Sequence, residues 1–440
     1  MSHAPAADGA FESLLGTDNV RLGAAGLKAR RAALVLGVVG IGLSVLLAPI
    51  FGGEQGVLLA KSWLQVFLVV LSVSLGALFF VIIQHLTHAG WSVTVRRPAE
   101  LIASNLTWLW VLFLPFAVMA ATGKLYLIFP WADMEHLREH APGEYDLVLK
   151  KVAYLNQPFF WIRAVFYFGT WALLARFFLK GSLEVGESGS EAVEARLSKW
   201  AGPAAILFGL TTSFAAFDWI MSLSPGWFST MFGVYFFAAC ATTGFSAIII
   251  CCILLQRSGR LQGLVTAEHY QDLGKMLFGF GIVFWAYIAF SQYMLIWYAN
   301  IPEETGWYLA RQLGNWPILS FALLFGHFII PFVGLISKWP KRMPKLLIFG
   351  AVWMIAFAWL DFFWLVMPVI PHDLAYATDY TSIVEAYRGT PTGLLNPINL
   401  TMTVGLGGLF LWATLNRLER YPLVCRRDPW LKDAVAFENQ

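Results

Sequence analysis

Residues 63–83 read WLQVFLVVLSVSLGALFFVII and contain no charged side chain. An α-helix rises about 1.5 Å per residue, so a stretch of this length crosses the roughly 30 Å hydrocarbon core of a bilayer. Its polar residues are few and small, and no polar face recurs with a helical period. The stretch therefore predicts a transmembrane helix.

Similar apolar runs recur along the chain, each bounded by charges, prolines or glycines. The predicted spans are 32–51, 63–84, 101–121, 158–178, 200–221, 230–255, 276–298, 315–337, 346–368 and 399–416. No small-residue cleavage motif follows the first run, so we expect it to be retained. The sequence thus predicts an all-α integral membrane protein with about ten transmembrane helices.

The composition agrees with a lipid environment. Hydrophobic residues make up 58% of the 440 residues and charged residues 13%, with a mean hydropathy of +0.64, whereas soluble domains carry about 25% charged residues. The net charge of +3 is not gathered into a basic patch, which argues against nucleic acid as a partner. The four cysteines lack CxxC or CxxCH spacing, so we expect this chain to bind no metal, iron-sulfur cluster or covalent haem of its own.

The distribution of positive charge predicts an orientation. If the N-terminus is cytoplasmic, 22 of the 30 Lys and Arg fall on the cytoplasmic side, seven fall on the other side, and Arg163 lies within a span. Positive charge is enriched in cytoplasmic loops. Both tails, 1–31 and 417–440, are therefore predicted to be cytoplasmic.

A weak internal repeat divides the predicted membrane domain, 32–416. Spans four and eight open alike, with NQP at 156–158 and NWP at 315–317, and spans five and nine each begin at a proline and carry one aspartate. Parallel repeats of four helices explain this pattern. We expect one bundle over 63–221, a second over 230–368, and flanking helices at 32–51 and 399–416.

Four ionisable side chains lie within predicted spans, where an unpaired charge costs several kcal/mol. Arg163 and Asp218 form either a buried ion pair that holds helices together or a proton-handling pair. Asp361 has no arginine close in sequence, which favours a proton relay. His327 lies near the membrane midplane without a second histidine at matching depth, so it is interpreted as a proton-path or packing residue and not as a haem ligand.

Polar groups at the span ends are further candidates. His85 and His88 are three residues apart and are expected to share a helix face, where they either gather protons at the cytoplasmic mouth or contact lipid headgroups. Tyr293 lies in the last part of the seventh span, and Glu303 and Glu304 follow that span. They form either a polar helix terminus, a water-lined exit or a rim where a partner docks.

Three strings carry a family resemblance: HLTHAGWSVTVRRPAE at 85–100, AFDWIMSLSPGWFSTMFGVYFF at 216–237 and AFSQYMLIWYANIPEE at 289–304. They resemble the NrfD or polysulfide-reductase-type membrane subunits, most closely the alternative complex III branch and the second of its two related membrane subunits. The resemblance covers roughly residues 30–420 and implies two four-helix bundles flanked by two outer helices.

The resemblance also implies a function and partners. The family works in quinol:cytochrome c oxidoreductase assemblies of the bacterial inner membrane, together with a homologous NrfD-like membrane subunit, iron-sulfur subunits and multihaem cytochrome c subunits. The family's quinol pocket is expected in the first paired subunit. We therefore expect this chain to be a scaffold and proton-conducting subunit, with quinone binding left open. A secondary transporter and a purely structural membrane anchor are the alternatives.

Overall fold

The computed structural model describes residues 11–368, 381 and 396–439, and all its regular elements in this part of the chain are helical. Nine single helices in the described residues are long and apolar enough to cross a membrane, and one bent pair provides a tenth crossing. The all-α membrane fold class is therefore confirmed.

Ten spans follow one another along the chain. They are α1 (Leu27–Phe51), α2 (Val57–Leu86), the bent α3 (Gly90–Thr107 and Leu109–Ala121), α4 (Gln157–Ser188), α5 (Glu191–Trp219), α6 (Phe232–Arg257), α7 (Ala267–Ala299), α8 (Trp316–Leu335), α9 (Pro344–Val366) and α10 (Pro397–Arg420). Each contains one of the ten predicted runs, or most of it.

Local sequence signals set the helix ends. α4 begins where the Asn156 side chain accepts a hydrogen bond from the Phe159 backbone N–H, with Pro158 in the first turn; both are favoured at helix starts. α4 ends at Gly189, whose φ of +69° lies in the left-handed region that glycine adopts without strain. The chain then turns directly into α5, so both helices extend well beyond the apolar runs.

The third span begins earlier than predicted. The sequence favoured 101–121, whereas the structure starts the helix at Gly90 and bends it by 46° at Trp108. Every residue of Val93–Ala103 is buried, including Arg96 and Arg97. The prediction was wrong because these charges indicated a loop, whereas in the structure they form ion pairs inside the protein.

Both ends of the chain meet on one side of the molecule. The Leu423 backbone N–H donates to the Val20 carbonyl at 2.8 Å, as an even number of crossings requires. We call this side the terminal end and the opposite side the distal end. The bias of Lys and Arg predicts that the terminal end is cytoplasmic.

Helix contacts group the spans around α2 and α6. In the first group, α2 and α4 each pack on α3 and α5. In the second group, α6 packs on α7 and α9, and α8 contacts α7 and α9 as well. α2 also packs along α6, and there the backbones touch: a Cβ atom on Gly76 would lie 1.8 Å from the Cys240 carbonyl oxygen, and Gly244 is equally closed in by Gly76. The α2–α6 crossing thus joins the helices that open each repeat.

α1 and α10 pair through a glycine face. Ala33, Gly37, Gly40 and Ser44 are the buried residues of α1. A Cβ atom on Gly40 would lie 2.4 Å from the Gly405 backbone nitrogen, and one on Gly408 would lie 2.6 Å from that of Gly37. Small residues let membrane helices approach this closely.

The outer surface of the helices is apolar. On α4 the exposed side chains include Ile162, Val165 and Phe166, and on α1 they include Leu46 and Ile50. Contiguous apolar surface of this extent is typical of a membrane or partner interface. Lipid contact on these faces follows from the spans themselves.

Candidate functional site

One side chain from each helix of the second repeat meets in a buried group, which we call the Asp361 cluster: Asp361 of α9, Tyr235 of α6, Trp285 of α7 and His327 of α8. The Tyr235 hydroxyl donates to Asp361 Oδ1 at 2.5 Å, and Trp285 Nε1 donates to Oδ2 at 3.0 Å. The His327 ring stacks on the Trp285 ring at 3.9 Å. Asp361 and His327 are fully buried.

π-helical segments in α7 and α8 adjoin this cluster. They cover Leu277–Val283, immediately before Trp285, and Leu324–Ile329, which contains His327. Side chains satisfy carbonyls in both segments: Thr242 Oγ1 donates to the Gly281 oxygen at 3.0 Å and Trp353 Nε1 to the Gly326 oxygen at 2.7 Å. π-helical turns occur frequently at functional sites, and the apolar pattern of the sequence gave no sign of them.

The Asp361 carboxyl has neutral partners only. Tyr235 and Trp285 each donate one hydrogen bond, and within the described chain no cation forms an ion pair with it. A carboxylate without a cation in an apolar interior is costly, and a protonated carboxyl is not. This arrangement suits a group that takes up and releases a proton.

Asp218, at the equivalent place in the first repeat, has very different surroundings. Arg163 Nε and Nη2 donate to its two carboxylate oxygens at 2.7 and 2.8 Å, and the Tyr167 hydroxyl donates at 2.7 Å. The guanidinium carbon lies 3.8 Å from the Tyr154 ring centre. The structure therefore brings Arg163 and Asp218 into the bidentate ion pair that was one of the two interpretations of the sequence.

A third buried group lies at the terminal end. This terminal charge cluster consists of six side chains, none of them exposed: His85, Arg96, Arg97, Glu100, Glu194 and Asp428. Arg97 Nε lies 3.0 Å from a Glu100 oxygen, and Arg96 Nη2 lies 2.7 Å from Asp428 Oδ2. His85 Nδ1 lies 3.1 Å from Glu194 Oε1. The cluster thus joins α2, α3 and α5 to the C-terminal tail.

His85 and His88 do not share a helix face, contrary to the prediction. α2 ends at Leu86, and His88 follows with a positive φ of 50° and an exposed side chain, whereas His85 is buried. A small cavity of about 20 Å³ lies between His88, Arg96 and Glu194. That volume is enough for about one water molecule.

Sequence reasoning missed three acids of the terminal charge cluster. Glu100 could have been found, because it lies three and four residues after Arg97 and Arg96, a spacing that pairs side chains on a helix. Glu194 and Asp428 come from distant parts of the chain. Only the fold brings them to the arginines.

Buried hydroxyls occupy the α2–α6 interface between the two ends. The Thr243 hydroxyl donates to Ser72 Oγ at 3.0 Å. Ser74, two residues further along α2, faces α3 instead and donates to the Ile102 carbonyl at 3.3 Å. Thr243 lies eight residues from Tyr235 along α6, about 12 Å at 1.5 Å per residue. Polar groups therefore continue from the Asp361 cluster toward the middle of the molecule.

The three candidates at the end of α7 lie at the distal surface, apart from the Asp361 cluster. The Tyr293 hydroxyl accepts from Gln312 Nε2 at 3.4 Å, and its ring lies 5.1 Å from that of Tyr308. Glu304 lies in the short helix Pro302–Leu309, and the side chain of Glu303 falls outside the described residues. Their role as a polar terminus, exit or docking rim stays a prediction.

Among the described residues, no group of three or more His, Cys, Asp or Glu side chains is arranged to hold a metal ion. The four cysteines form no disulfide. No family model matches the sequence, and neither does any curated protein.

Proposed function

We propose that this chain is the proton-conducting membrane subunit of a respiratory quinol:cytochrome c oxidoreductase of the NrfD-like, alternative complex III type. The proposal rests on the three resemblance strings quoted above and on the buried groups of the structure. One observation carries the proton role: Asp361 is fully buried in the membrane body and held by two neutral donors.

Three groups of side chains form the proposed proton path from the terminal end to Asp361. His88 and Glu194 flank the water-sized cavity at the mouth. The Ser72 and Thr243 hydroxyls lie at the α2–α6 interface, and nearer the distal end the Tyr235 hydroxyl donates to Asp361. Carboxyl, histidine and hydroxyl groups are the side chains from which membrane proton relays are built.

The electrons of this reaction would pass through partner subunits. The described residues supply no metal site, and the partners inferred from the resemblance are a homologous NrfD-like membrane subunit with iron-sulfur and multihaem cytochrome c subunits. In this proposal the membrane is the bacterial inner membrane and the terminal end faces the cytoplasm, an orientation that the bias of Lys and Arg supports. Quinone binding by this chain itself is not required by the proposal.

Substitution of Asp361 in the intact assembly tests the proton role. We expect Asp361→Asn to lower proton release per quinol oxidised, measured in vesicles, because an amide takes up no proton at this position; Asp361→Glu should retain part of it. Asp146→Asn, at an exposed site, is the matched control. Unchanged quinol oxidation together with unchanged proton release in Asp361→Asn would contradict a relay role.

Purification separates this function from its rivals. The proposal expects the tagged chain to bring haem-containing subunits with it from native membranes, detected by their absorption spectrum. Transport of a solute by the chain alone in liposomes would instead support the secondary transporter. Co-purification combined with normal turnover of the Asp361 variants would leave the chain as an anchor only.

A further inference from the structure

A cavity of about 340 Å³ lies at the distal end beside the Arg163–Asp218 pair, and Tyr154, whose ring lies against the Arg163 guanidinium, is among its lining residues. It is enclosed by the segment before α4, residues 150–155, and by the end of α5 and the turn into α6, residues 217–228. Its volume falls within the range of about 300–1,000 Å³ found for small-molecule sites. Asp361 and the terminal charge cluster take no part in it.

The wall of the cavity is apolar and its rim is basic. Leu155, Phe217, Met221 and Trp227 line it, and the two adjacent lysines, Lys150 and Lys151, also border it. A pocket with one charged edge and an apolar wall fits an amphiphile with an anionic head.

The two lysines differ in their surroundings. Lys150 is exposed, and Lys151 Nζ donates to the Pro225 carbonyl at 2.7 Å and lies 5.2 Å from the Phe228 ring centre. Burial lowers the pKa of the Lys151 ammonium, and the nearby Glu144 carboxylate opposes this effect. With Glu144 included, the rim keeps a net positive charge, and an added anion would stabilise the half-buried ammonium.

The cavity lies at the distal ends of two helices that are long and apolar enough to cross a membrane, the level at which we expect the headgroup layer to begin. Its wall is built from residues just before the start of α4 at Gln157 and from residues on both sides of the end of α5 at Trp219. Exposed apolar side chains, Phe159 and Ile162 on α4 and Phe214 on α5, continue away from it along the lipid-facing surface. A chain of methylenes that leaves the cavity would therefore stay on apolar surface.

We propose that this cavity binds one anionic phospholipid, with the phosphate between Lys150 and Lys151 and part of an acyl chain against Leu155, Met221 and Trp227. The ammonium groups donate hydrogen bonds to the phosphate oxygens. A zwitterionic lipid carries no net charge to match the rim, so the site selects the anionic headgroup.

Native mass spectrometry of the purified full-length chain tests the proposal with phosphatidylglycerol and phosphatidylcholine as probes. We expect one phosphatidylglycerol to be retained in preference to phosphatidylcholine. Each lysine near a membrane contributes about 1 kcal/mol toward an anionic lipid, so Lys150→Gln with Lys151→Gln should weaken retention between about 5-fold and 30-fold. Lys124→Gln, an exposed lysine at the same end of the molecule, should leave it unchanged.

A second variant and two competitors complete the test. Met221→Trp adds bulk inside the cavity and should release the lipid while both lysines remain, with the thermal midpoint confirming a folded protein. Equal retention of both lipids, or unchanged retention in the double lysine variant, would overturn the proposal. Displacement of the lipid by inorganic phosphate alone would also overturn the proposal, because the site would then bind the free ion. Retention of a quinone in place of the lipid would overturn it as well.

Discussion

Two aspartates at equivalent places in the two repeats differ in their partners. Asp218 accepts three short hydrogen bonds, two of them from the Arg163 guanidinium, whereas Asp361 accepts two from neutral groups. Bidentate hydrogen bonds between a guanidinium and a carboxylate are short, strong and geometrically specific. The pairing thus gives the first repeat a structural link between α4 and α5. The aspartate of the second repeat has neutral hydrogen-bond donors instead.

Removal of one member of the Arg163–Asp218 pair should destabilise the protein. Arg163→Leu leaves the Asp218 carboxylate buried without its cation, and breaking such a pair costs about 3–5 kcal/mol. We expect a clearly lower thermal midpoint in detergent, and a partial recovery when Asp218→Leu is added. Arg138→Leu, at an exposed site, is the control. A double variant less stable than Arg163→Leu would show that the pair is not the source of the effect.

At the residue scale, the sequence identified some members of the buried polar groups and missed others. Arg163, Asp218, Asp361 and His327 stand out because an ionisable side chain within an apolar run is rare and expensive. Tyr235 and Trp285 do not stand out in a chain with 14 tyrosines and 20 tryptophans. Their role depends on the packing of α6, α7 and α9, which no local pattern encodes.

At the scale of elements, hydrophobic runs located all ten crossings, because lipid demands a minimum apolar length. They did not locate the start of α3, since Arg96 and Arg97 form ion pairs with Glu100 inside the protein. They also did not reveal the π-helical segments of α7 and α8, because the register of backbone hydrogen bonds leaves the composition of a run unchanged.

The α1–α10 pairing provides a prediction with a control on the same helix. In Gly40→Ala the new methyl group would meet the Gly405 backbone at 2.4 Å, whereas in Gly42→Ala it would meet nothing within 4 Å. Forced overpacking costs about 1–3 kcal/mol. We expect a lower thermal midpoint for Gly40→Ala and no loss for Gly42→Ala, measured by a dye-free unfolding scan. Equal midpoints for the two variants would mean that α1 and α10 do not touch here.

For the whole molecule, the C-terminal tail closes the terminal end. Asp428 pairs with Arg96, Cys425 Sγ donates to the Ser182 carbonyl at 3.5 Å, and the Phe437 ring stacks on Trp91. The count of Lys and Arg predicts on which side of the membrane the tail lies. It could not predict that the tail docks on α3, because Arg96 and Asp428 are 332 residues apart. The buried charges of α3 are complete only when the tail is in place.

The thiol of Cys425 reports whether the tail is docked. Burial raises the pKa of Cys425 to about 12, from an ordinary value of about 8.5. The docked tail therefore favours the protonated thiol, and docking weakens as the pH rises above 8.5 toward 12. We expect alkylation to be slow at pH 8 and to accelerate steadily toward pH 12 without a plateau near 8.5.

Asp428→Asn removes the charge that pairs with Arg96 and should release the tail, which raises alkylation of Cys425 at pH 8 by at least about tenfold. Asp433→Asn, an exposed acid in the same tail, should have no such effect. Peptide mass spectrometry measures the reaction at each cysteine separately. A wild-type thiol that already titrates near 8.5 would rule out the docked tail.

The pairing of α1 with α10 joins the first and the last crossing, and this sets an order for biogenesis. α1 is translated well over 300 residues before α10. The glycine face of α1 therefore has no packing partner while the eight crossings between them are inserted. The terminal end likewise stays open until Asp428 is translated. Messages truncated between α10 and Asp428 should therefore yield proteins that have all ten crossings and are still recognised by quality-control proteases as unfinished.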